Sequence, residues 1–286
     1  MPIRFSDVFY TYNPKTPLAS EALNGINLEI EDGSFTALVG RTGCGKSTLV
    51  QHINALLNPS KGEVVVDEFV NCADKKKRSK KLYQVRRKVG LVFQFPEYQL
   101  FEENVEKDVA FAPNNFGASK EEALKAAHEA LLKVGLDESF YKRSPFELSG
   151  GEKRRVAIAG ILAFHPDVLV VDEPTAGLDP RGAAEMMELF ESVHREGTTV
   201  ILVTHDMNLV LQYCDKVIVL DHGKIAKISN PVSLFQEDIE AYSLETPLIY
   251  AFMKKLKARG MDIELKDAKD PESLAKLLAE AKRRKV

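Results

Sequence analysis

A glycine-rich turn that closes on a lysine is the strongest chemical signal in the sequence. Residues 40–48 read GRTGCGKST, which fits the pattern G-x-x-x-x-G-K-[ST] between a predicted strand and a predicted helix. Successive backbone N–H groups and the N-terminus of such a helix hold phosphates. The Lys46 ammonium can reach the β and γ phosphates, and the Ser47 hydroxyl can bind Mg²⁺. The candidate nucleotide-binding residues are Gly40, Arg41, Thr42, Gly43, Cys44, Gly45, Lys46, Ser47 and Thr48.

An acidic pair follows an apolar strand further along the chain. Residues 168–173 read VLVVDE, which places Asp172 and Glu173 where the strand ends. In an open parallel sheet, ligands bind at that edge. Taken alone, an Asp-Glu pair is more often the cap of a surface helix, but the strand before it and the phosphate loop in the same chain favour a catalytic role. Asp172 suits a Mg²⁺ site, and Glu173 suits the attacking water.

Two further polar side chains come directly after predicted strands. Gln94 follows a strand predicted at 89–93, and His205 follows the strand TTVILVT. A lone glutamine is normally a surface amide and a lone histidine is more often structural. At the edge of one sheet, however, Gln94 can reach the metal or the water, and His205 can contact the γ-phosphate. The candidate catalytic residues are Lys46, Gln94, Glu173 and His205, and the candidate metal ligands are Ser47, Gln94 and Asp172.

A second glycine turn opens another predicted helix. Residues 148–159 read LSGGEKRRVAIA, which has the form of a phosphate-binding turn at a helix start. The chain therefore carries two phosphate cradles for what can be a single nucleotide. The sequence by itself leaves open whether they face each other.

The elements around these motifs predict an α/β fold. The first part of the chain reads as strands at 3–12, 23–30 and 35–39, a helix at 47–57, and a strand at 63–66. Strands and helices alternate from Val168 to Lys224, which predicts a largely parallel, buried sheet. Ser119 caps a helix predicted to reach Val134, where Gly135 ends it. Asp270-Pro271 predicts the start of a last helix that ends in the basic run 282–285.

Composition limits the classes of function. The chain has 286 residues and a net charge of −3, which argues against a surface that grips nucleic acid, and no nucleic-acid partner is expected. The basic run at 75–81 is best explained as a solvated loop that leads into an exposed helix face. Three cysteines far apart, with no CxxC spacing, fit a reducing cytosol. No secretory pattern and no apolar run of the required ~20 residues occur, so any membrane role is expected to be peripheral.

In this order, the motifs resemble those of the ATP-binding cassette (ABC) ATPases. The match covers residue 1 to about residue 230. Its parts are an aromatic residue before the first turn (Tyr12), GRTGCGKST, Gln94, LSGGEKRRVAIA, VLVVDE, the loop AGLD that ends at Asp179, and His205. Several motifs in the right order are far more specific than any one of them.

The resemblance implies a P-loop fold of the ABC type. Its core sheet would be mostly parallel, with an N-terminal antiparallel β subdomain and a helical signature subdomain at about 95–165. The nucleotide-binding domain would span 1–230, and 231–286 would form a C-terminal helical extension that is a candidate dimer contact. ATP and Mg²⁺ are the implied ligands.

The resemblance also implies a head-to-tail dimer, in which the signature of one cassette closes on ATP held by the phosphate loop of the other. Tyr12 would stack on adenine, and Asp179 would couple the two sites. The signature residues that would contact the partner's ATP are Ser149, Gly150, Gly151 and Glu152. Departures from the family pattern are small: Glu152 stands where Gln is usual, AG stands where SA is common before Asp179, and Cys44 replaces a more frequent Ser. A competent site is expected.

One segment narrows the resemblance to the energy-coupling-factor transporters. Residues 94–117 read QFPEYQLFEENVEKDVAFAPNNFG, which looks like a characteristic segment of that group. In that group two related ATPases, usually different, pair beneath a membrane scaffold protein, and an exchangeable membrane subunit captures a vitamin. The basic pair Arg154-Arg155 and the helical tail favour the second of the two ATPases. The expected location is the cytoplasmic face of the cell membrane.

Other classes fit the sequence less well. Cassette ATPases of DNA repair carry long heptad insertions between the phosphate loop and the signature, and translation-associated ones normally hold two cassettes in one chain. Neither feature is present. The nearest alternative is a homodimeric ATPase of another importer, such as one for cobalt or nickel.

Cys44 supports a separate hypothesis about reactivity. It stands beside Lys46 and at a helix N-terminus, so its thiolate is expected to be favoured. On this hypothesis a maleimide inactivates the enzyme and bound ATP protects it. The alternative, a small residue tolerated in a tight loop, needs no biological role for the thiol.

Overall fold

The computed structural model describes residues 2–261, 263–264 and 268–284. The strands in these residues are β1 (Ile3–Tyr12), β2 (Ser20–Ile30), β3 (Phe35–Val39), β4 (Lys61–Val66), β5 (Phe69–Cys72), β6 (Val89–Val92), β7 (Val168–Asp172), β8 (Thr199–Val203), β9 (Lys216–Asp221) and β10 (Lys224–Ser229). The α-helices are α1 (Lys46–Ile53), α2 (Val85–Lys88), α3 (Val105–Asn115), α4 (Lys120–Lys133), α5 (Gly150–Leu162), α6 (Pro180–Arg195), α7 (Met207–Tyr213), α8 (Pro231–Leu234), α9 (Leu248–Ala258) and α10 (Pro271–Arg284).

The central sheet has the strand order β10-β9-β3-β8-β7-β6. The strands from β9 to β6 run parallel, and β10 is antiparallel at one edge. The middle strands β3 and β8 are buried along their whole length, and β7 is buried up to its last residue. Such continuous apolar strands are typical of a sheet covered on both faces, and the predicted α/β fold with a mostly parallel core is confirmed.

Side chains of the central sheet alternate between two hydrophobic clusters. In β3, Ala37 and Val39 belong to one cluster, and Leu38 between them belongs to the other. The first cluster includes buried residues of α3, α4, α5 and α6. The second includes residues of α1 and of the N-terminal strands. Burial of each Val or Leu side chain in these clusters stabilises the fold by about 1.5–3 kcal/mol. The two clusters therefore hold the central sheet, and the loops at its carboxyl edge, in place.

The N-terminal strands form a second sheet, which is antiparallel, with the order β2-β1-β4-β5. Residues of β1 pair with both neighbours, for example Phe5 with Leu28 and with Val64. The predicted N-terminal antiparallel subdomain is therefore present. It brings the end of β1, which carries Tyr12, toward the start of α1.

The region predicted as the signature subdomain holds α3, α4 and α5, which pack on one another through small apolar residues. Ala123 and Ala127 of α4 and Ala159 of α5 have no exposed surface. Ser119 caps α4 in a capping box with Glu122, and Gly135 follows its end with a φ of 80°, as predicted. Because alanine side chains are short, the helices can approach closely.

The C-terminal helices continue the first hydrophobic cluster. Phe235, Tyr250 and Met253 have no exposed surface and belong to the same cluster as the central sheet. Asp270 caps α10 through a 2.8 Å bond from the Ser273 N–H, as the sequence predicts. The division at residue 230 stays a prediction, and residues 285–286, at the predicted end of the last helix, lie outside the described residues.

The helix after the phosphate loop is shorter than predicted. It ends at Ile53 rather than at Leu57. The Asn54 side chain accepts a 3.2 Å bond from the Leu56 N–H, and Ala55 has a φ of 56°. An asparagine that bonds its own backbone two residues on competes with continuation of a helix, which explains the early end.

Candidate active site

Four loops meet at the carboxyl edge of the central sheet. The phosphate loop follows β3, Gln94 follows β6, Asp172 ends β7 with Glu173 next, and His205 follows β8. These strands are neighbours, so the loops converge on a cavity of about 530 Å³. The cavity is lined by Tyr12, Ser20, Glu21, Ala22, Thr42, Gly43, Gly45, Lys46, Ser47, Thr48, Gln94, Asp172, Glu173 and His205. The structure therefore brings together most residues that the sequence analysis assigned to nucleotide, metal and catalysis.

Two glycines of the phosphate loop cannot be replaced without displacing backbone. Gly40 has a φ of 143°, and a Cβ there would lie 2.1 Å from the Leu220 carbonyl oxygen. Gly45 has a φ of 109°, and a Cβ there would lie 2.4 Å from the Ala22 carbonyl oxygen. Gly45 is also the N-cap of α1 and makes no side-chain cap. The N–H groups of the first helical turn are consequently left for a phosphate.

The loop lysine and serine line the cavity and are held by different partners. Lys46 Nζ donates to the carbonyl oxygens of Gly40, at 2.7 Å, and Arg41, at 3.0 Å. The Ser47 hydroxyl donates to Asp172 Oδ2 over 3.1 Å. Burial raises the pKa of Asp172, against the lowering effect of this bond. A hydroxyl and a carboxylate with free oxygen lone pairs are the hard ligands that Mg²⁺ prefers, so these residues fit the metal.

Glu173 and His205 form a pair at the mouth of the cavity. His205 Nδ1 lies 2.8 Å from Glu173 Oε1. The glutamate side chain is only 16% exposed, whereas the histidine is 81% exposed. The hydrogen bond to Glu173, with its negative charge, raises the pKa of His205. Glu173 itself has a φ of 49°, and its N–H donates to the Val203 carbonyl over 2.9 Å, which fixes the backbone of Glu173 against β8.

Tyr12 is held by a residue of the phosphate loop. Its hydroxyl lies 3.0 Å from Thr48 Oγ1, and its ring makes an edge contact with Tyr10 at a centroid distance of 4.9 Å. Tyr10 in turn makes an edge contact with the buried His52 of α1. The Tyr12 ring remains 37% exposed at the cavity wall. An aromatic face held in this way can stack on a base.

The second glycine turn lies elsewhere on the surface. Ser149 caps α5 by accepting from the Glu152 N–H, and Glu152 Oε2 accepts from the Ser149 N–H over 2.7 Å. This capping box explains how a glutamate can replace the usual glutamine, and the bond to Ser149 lowers the pKa of Glu152. A Cβ at Gly150 or Gly151 would meet nothing within 4 Å. All four residues are absent from the wall of the phosphate cavity in this chain.

Four further predicted residues do not line the cavity directly: Gly40, Arg41, Cys44 and Asp179. Asp179 is exposed and caps α6 through a 2.7 Å bond from the Gly182 N–H. Gly40 supports the loop as described above. Arg41 turns away from the cavity, and its Nε donates to Ser243 Oγ of the C-terminal extension over 2.6 Å. No motif in the sequence indicates this link between the phosphate loop and the predicted C-terminal extension.

The expectation of a favoured thiolate at Cys44 is wrong. The residue is 6% exposed, and its Sγ lies 2.9 Å from where a Cβ on Gly40 would stand. Burial raises the pKa of the Cys44 thiol, although Lys46 acts in the opposite direction. Sequence neighbours suggested an activating environment, but the side chain points into the second hydrophobic cluster instead. Its role in the loop is that of a small packing residue.

A larger cavity of about 720 Å³ lies at the opposite edge of the sheet. Its wall includes Asp32, Asp167 and Thr198, which precede β3, β7 and β8. The amino ends of parallel strands are not the edge at which such sheets bind ligands. The chemistry predicted from the sequence collects in the smaller cavity, at the carboxyl ends.

The fold and the site define a P-loop nucleoside triphosphatase. Comparison with known proteins narrows this class: a family model described as ABC transporter matches residues 23–176. The energy-coupling factor transporter ATP-binding protein EcfA2 of Enterococcus faecalis is 54% identical over 267 residues, which cover 92% of each chain. The EcfA2 protein of Lactococcus lactis subsp. lactis is 55% identical over 261 residues, or 91% of this chain and 90% of that one.

Solved structures agree with this assignment. The structure of cbiO1 from Clostridium perfringens, part of the ABC transporter complex cbiONQ, has a TM-score of 0.71 and 38% identity, over 88% of this chain and 98% of that one. The dimeric ATP-binding cassette MJ0796 with bound ADP and phosphate has a TM-score of 0.70 and 33% identity, over 80% of this chain and 98% of that one.

The chain belongs to the ABC transporter family, within its group of energy-coupling factor transporter ATP-binding proteins. It is an ATPase, and it serves an importer of the energy-coupling-factor type. The EcfA2 relatives agree with the predicted choice of the second ATPase. None of the helices in the described part of the chain is long and apolar enough to cross a membrane.

Proposed function

We propose that this chain powers the uptake of vitamins or related micronutrients as one of two different ATPases beneath a membrane scaffold. An exchangeable membrane subunit would capture the substrate, and the chain would work at the cytoplasmic face of the membrane. The observation that carries the proposal is the 52–55% identity to EcfA2 proteins over about nine-tenths of the chain. The name EcfA2 of these relatives supports a pairing with a second, different ATPase over a homodimer.

The separation of the two glycine turns supports a composite site between two chains. Ser149, Gly150 and Gly151 are exposed, and none of them lines the phosphate cavity of its own chain. Internal packing does not require glycine at either 150 or 151, since a Cβ would meet nothing there. A flat turn at a helix N-terminus can lie against the γ-phosphate of a nucleotide held by another chain. The solved MJ0796 cassettes, which are dimeric, fit this arrangement.

The cavity residues divide the work of hydrolysis among them. Tyr12 would stack on adenine, and the N–H groups of the phosphate loop, with Lys46, would hold the β and γ phosphates. Ser47, Asp172 and Gln94 would hold Mg²⁺, which when bound neutralises charge on the phosphate oxygens. Gly150 and Glu152 would complete the signature contact with the partner's ATP. Asp179, at the exposed start of α6, would couple the two sites.

Glu173 is placed to accept the proton of the attacking water. Its carboxylate lies at the cavity wall beside Asp172, and its backbone is fixed to β8. His205 bonds one of its oxygens and leaves the other to orient a water. As the water oxygen bonds to the γ-phosphorus, its proton passes to Glu173 and the bond to the ADP oxygen breaks. Lys46 and His205 would stabilise the charge that develops on the phosphoryl oxygens.

An exposed aromatic surface follows Gln94, and it suits a contact with the membrane scaffold. Tyr98, Phe101 and Phe146 are 85%, 55% and 63% exposed. Phe101 also stacks edge-on against the exposed Phe111 at 4.8 Å. Exposed apolar patches of this kind mark contacts with other proteins. The segment between Gln94 and this surface is short, so movement at the nucleotide can reach the scaffold.

Copurification tests the proposal. The tagged chain is expressed in its native host, and the membranes are solubilised in detergent. A second, different cassette ATPase and a small membrane scaffold protein should copurify with it. A complex that contains this chain as the sole ATPase, in two copies, would overturn the proposed pairing. A complex with a periplasmic-type binding protein would overturn the proposed substrate-capture subunit.

A further inference from the structure

Arg154 of α5 is a buried cation that is held by two other segments. Its side chain is 5% exposed, and its Nε and Nη2 donate to the two oxygens of Glu97 over 3.1 and 3.0 Å. Its Nη1 donates to the carbonyl oxygen of Ala176 over 2.8 Å and lies 3.5 Å from that of Pro174. The guanidinium also stands 5.7 Å from the centre of the Phe95 ring. One side chain thus ties together three stretches of the sequence that are far apart.

Each of these stretches is attached to a residue of the nucleotide site. Phe95 and Glu97 lie one and three residues after Gln94, and Ala176 lies three residues after Glu173. Arg154 lies on the helix that Ser149 caps. The guanidinium therefore stands where the Gln94 segment, the loop after Glu173 and the signature helix meet.

The Gln94 segment and the loop after Glu173 also approach each other closely. Phe95 has a φ of 55°, and its ring lies 3.7 Å from the position of a Cβ on Gly177. The left-handed backbone at a bulky residue is costly and persists only where surrounding contacts enforce it. The bonds that Arg154 makes on both sides of this contact supply such enforcement.

We propose that Arg154, paired with Glu97, is a positioning residue that fixes Gln94 and the loop after Glu173 against the signature helix. The proposal rests on the roles proposed above for Gln94, Glu173 and Ser149. Through this link, a change in the segment that serves the chain's own nucleotide can reach the turn that serves the partner's nucleotide. The planar fork of an arginine can bond a carboxylate with two parallel N–H groups and a carbonyl with a third, and a lysine cannot.

The neighbouring residue provides a matched control. Arg155 Nη1 donates to the Val134 carbonyl over 2.9 Å, and its Nη2 donates to Glu185 over 2.6 Å. This second Arg–Glu pair joins α5 to the end of α4 and to α6, away from the segments that follow Gln94 and Glu173. Substituting Glu185 therefore removes an ion pair of the same helix without touching the proposed link.

The experiment compares three variants in the complete transporter complex purified in detergent. Arg154→Lys and Glu97→Gln should each lower kcat for ATP about 10- to 100-fold, because a small misplacement of catalytic groups has an effect of that size. KM for ATP should change less than about threefold. Glu185→Gln should stay within about twofold of the wild-type kcat. ATP affinity and thermal unfolding of the separate chain show whether each variant is folded.

A charge-swapped double variant separates positioning from simple stabilisation. Arg154→Glu with Glu97→Arg restores the ion pair but leaves no donor from α5 for the Ala176 carbonyl. The swap should raise the thermal unfolding midpoint above that of Arg154→Glu alone and leave kcat low. Recovery of kcat together with the midpoint would overturn the proposal, as would a kcat within twofold of wild type in both single variants. Unchanged turnover in Glu173→Gln would instead overturn the proposed site.

Discussion

His205 Nδ1 lies 2.8 Å from Glu173 Oε1, so the proposed base and the proposed phosphate contact are one hydrogen-bonded unit. The two residues follow neighbouring parallel strands, β7 and β8, and the register Asp172 with Val203 brings them level. The geometry of the sheet, rather than closeness in the sequence, therefore brings Glu173 and His205 together. The pair also makes the protonation of His205 depend on Glu173.

Removing the base should slow chemistry and spare binding. Glu173→Gln keeps the shape of the side chain but cannot accept the water proton, so hydrolysis in the assembled complex should fall by about 10² to 10⁴, the usual contribution of a general base. ATP affinity of the isolated chain should remain near that of the wild type. Turnover equal to wild type in the complex would contradict the role of Glu173.

The His205 pKa should depend on Glu173. The bond to the carboxylate favours the imidazolium, so in the isolated chain this histidine should titrate above its usual value of about 6.5. The charged pair is then fully present below that value and is lost as pH rises through the raised pKa. Following the ring proton by NMR in wild type and in Glu173→Gln should show a drop in the variant. Identical titration in both proteins would rule out the pair in solution.

Cys44 should resist alkylation in the folded chain. Its thiol is buried, and burial raises the pKa of that thiol. The same holds for Cys214, whose thiol is also buried and has a raised pKa. N-ethylmaleimide at neutral pH should leave ATPase activity unchanged over a time that labels an exposed control cysteine introduced at Lys125, which is 79% exposed. Rapid inactivation that ATP prevents would show that the loop opens in solution.

The C-terminal extension should contribute to the stability of the whole chain. Tyr250 has no exposed surface and meets the ring of Phe235 edge-on at 6.2 Å. Tyr250→Ala should lower the free energy of unfolding in urea by about 3–5 kcal/mol, the range for truncating a large buried aromatic ring. Leu248→Ala, at a position 74% exposed, should change it by less than about 0.5 kcal/mol. Equal effects would mean that the extension does not pack on the core.

The position of the polar residues at the sheet edge could be predicted from the sequence. Parallel strands have their carboxyl ends at the same edge, so residues that directly follow such strands lie close together. By the same rule Gln94, Asp172, Glu173 and His205 are expected at one edge of the sheet, and all four line one cavity. The Arg154–Glu97 pair is not predictable from the sequence, since the two residues are 57 positions apart and nothing local distinguishes them.

The wrong expectation at Cys44 has a similar origin. The charged residue Lys46 beside Cys44 is visible in the sequence. The burial of the loop is not, because it depends on β2 and β9, which pack against the loop from distant positions in the chain. The early end of α1 depended on the bond between Asn54 and its own backbone, which competes locally with a weak helical pattern. The Thr48–Tyr12 bond likewise joins two motifs that the sequence shows only as separate.

The central claim is that the signature turn at Ser149 contacts ATP bound to the partner and not ATP bound to its own chain. Ser149→Arg fills the exposed turn with a large cation, while the phosphate cavity of the same chain is untouched. Ser119→Arg is a matched control, since Ser119 closes an equivalent capping box on α4. Both variants lose the same kind of helix cap.

The most direct measurement combines ATP affinity of the isolated chain with ATP hydrolysis by the complex that contains the same variant. The composite site predicts that Ser149→Arg binds ATP within about twofold of wild type but lowers hydrolysis at least tenfold in the complex, since contributions of this kind reach 10² or more. Ser119→Arg should leave both values near wild type. Wild-type hydrolysis by the Ser149→Arg complex, or a loss of ATP affinity in the isolated chain, would contradict the account.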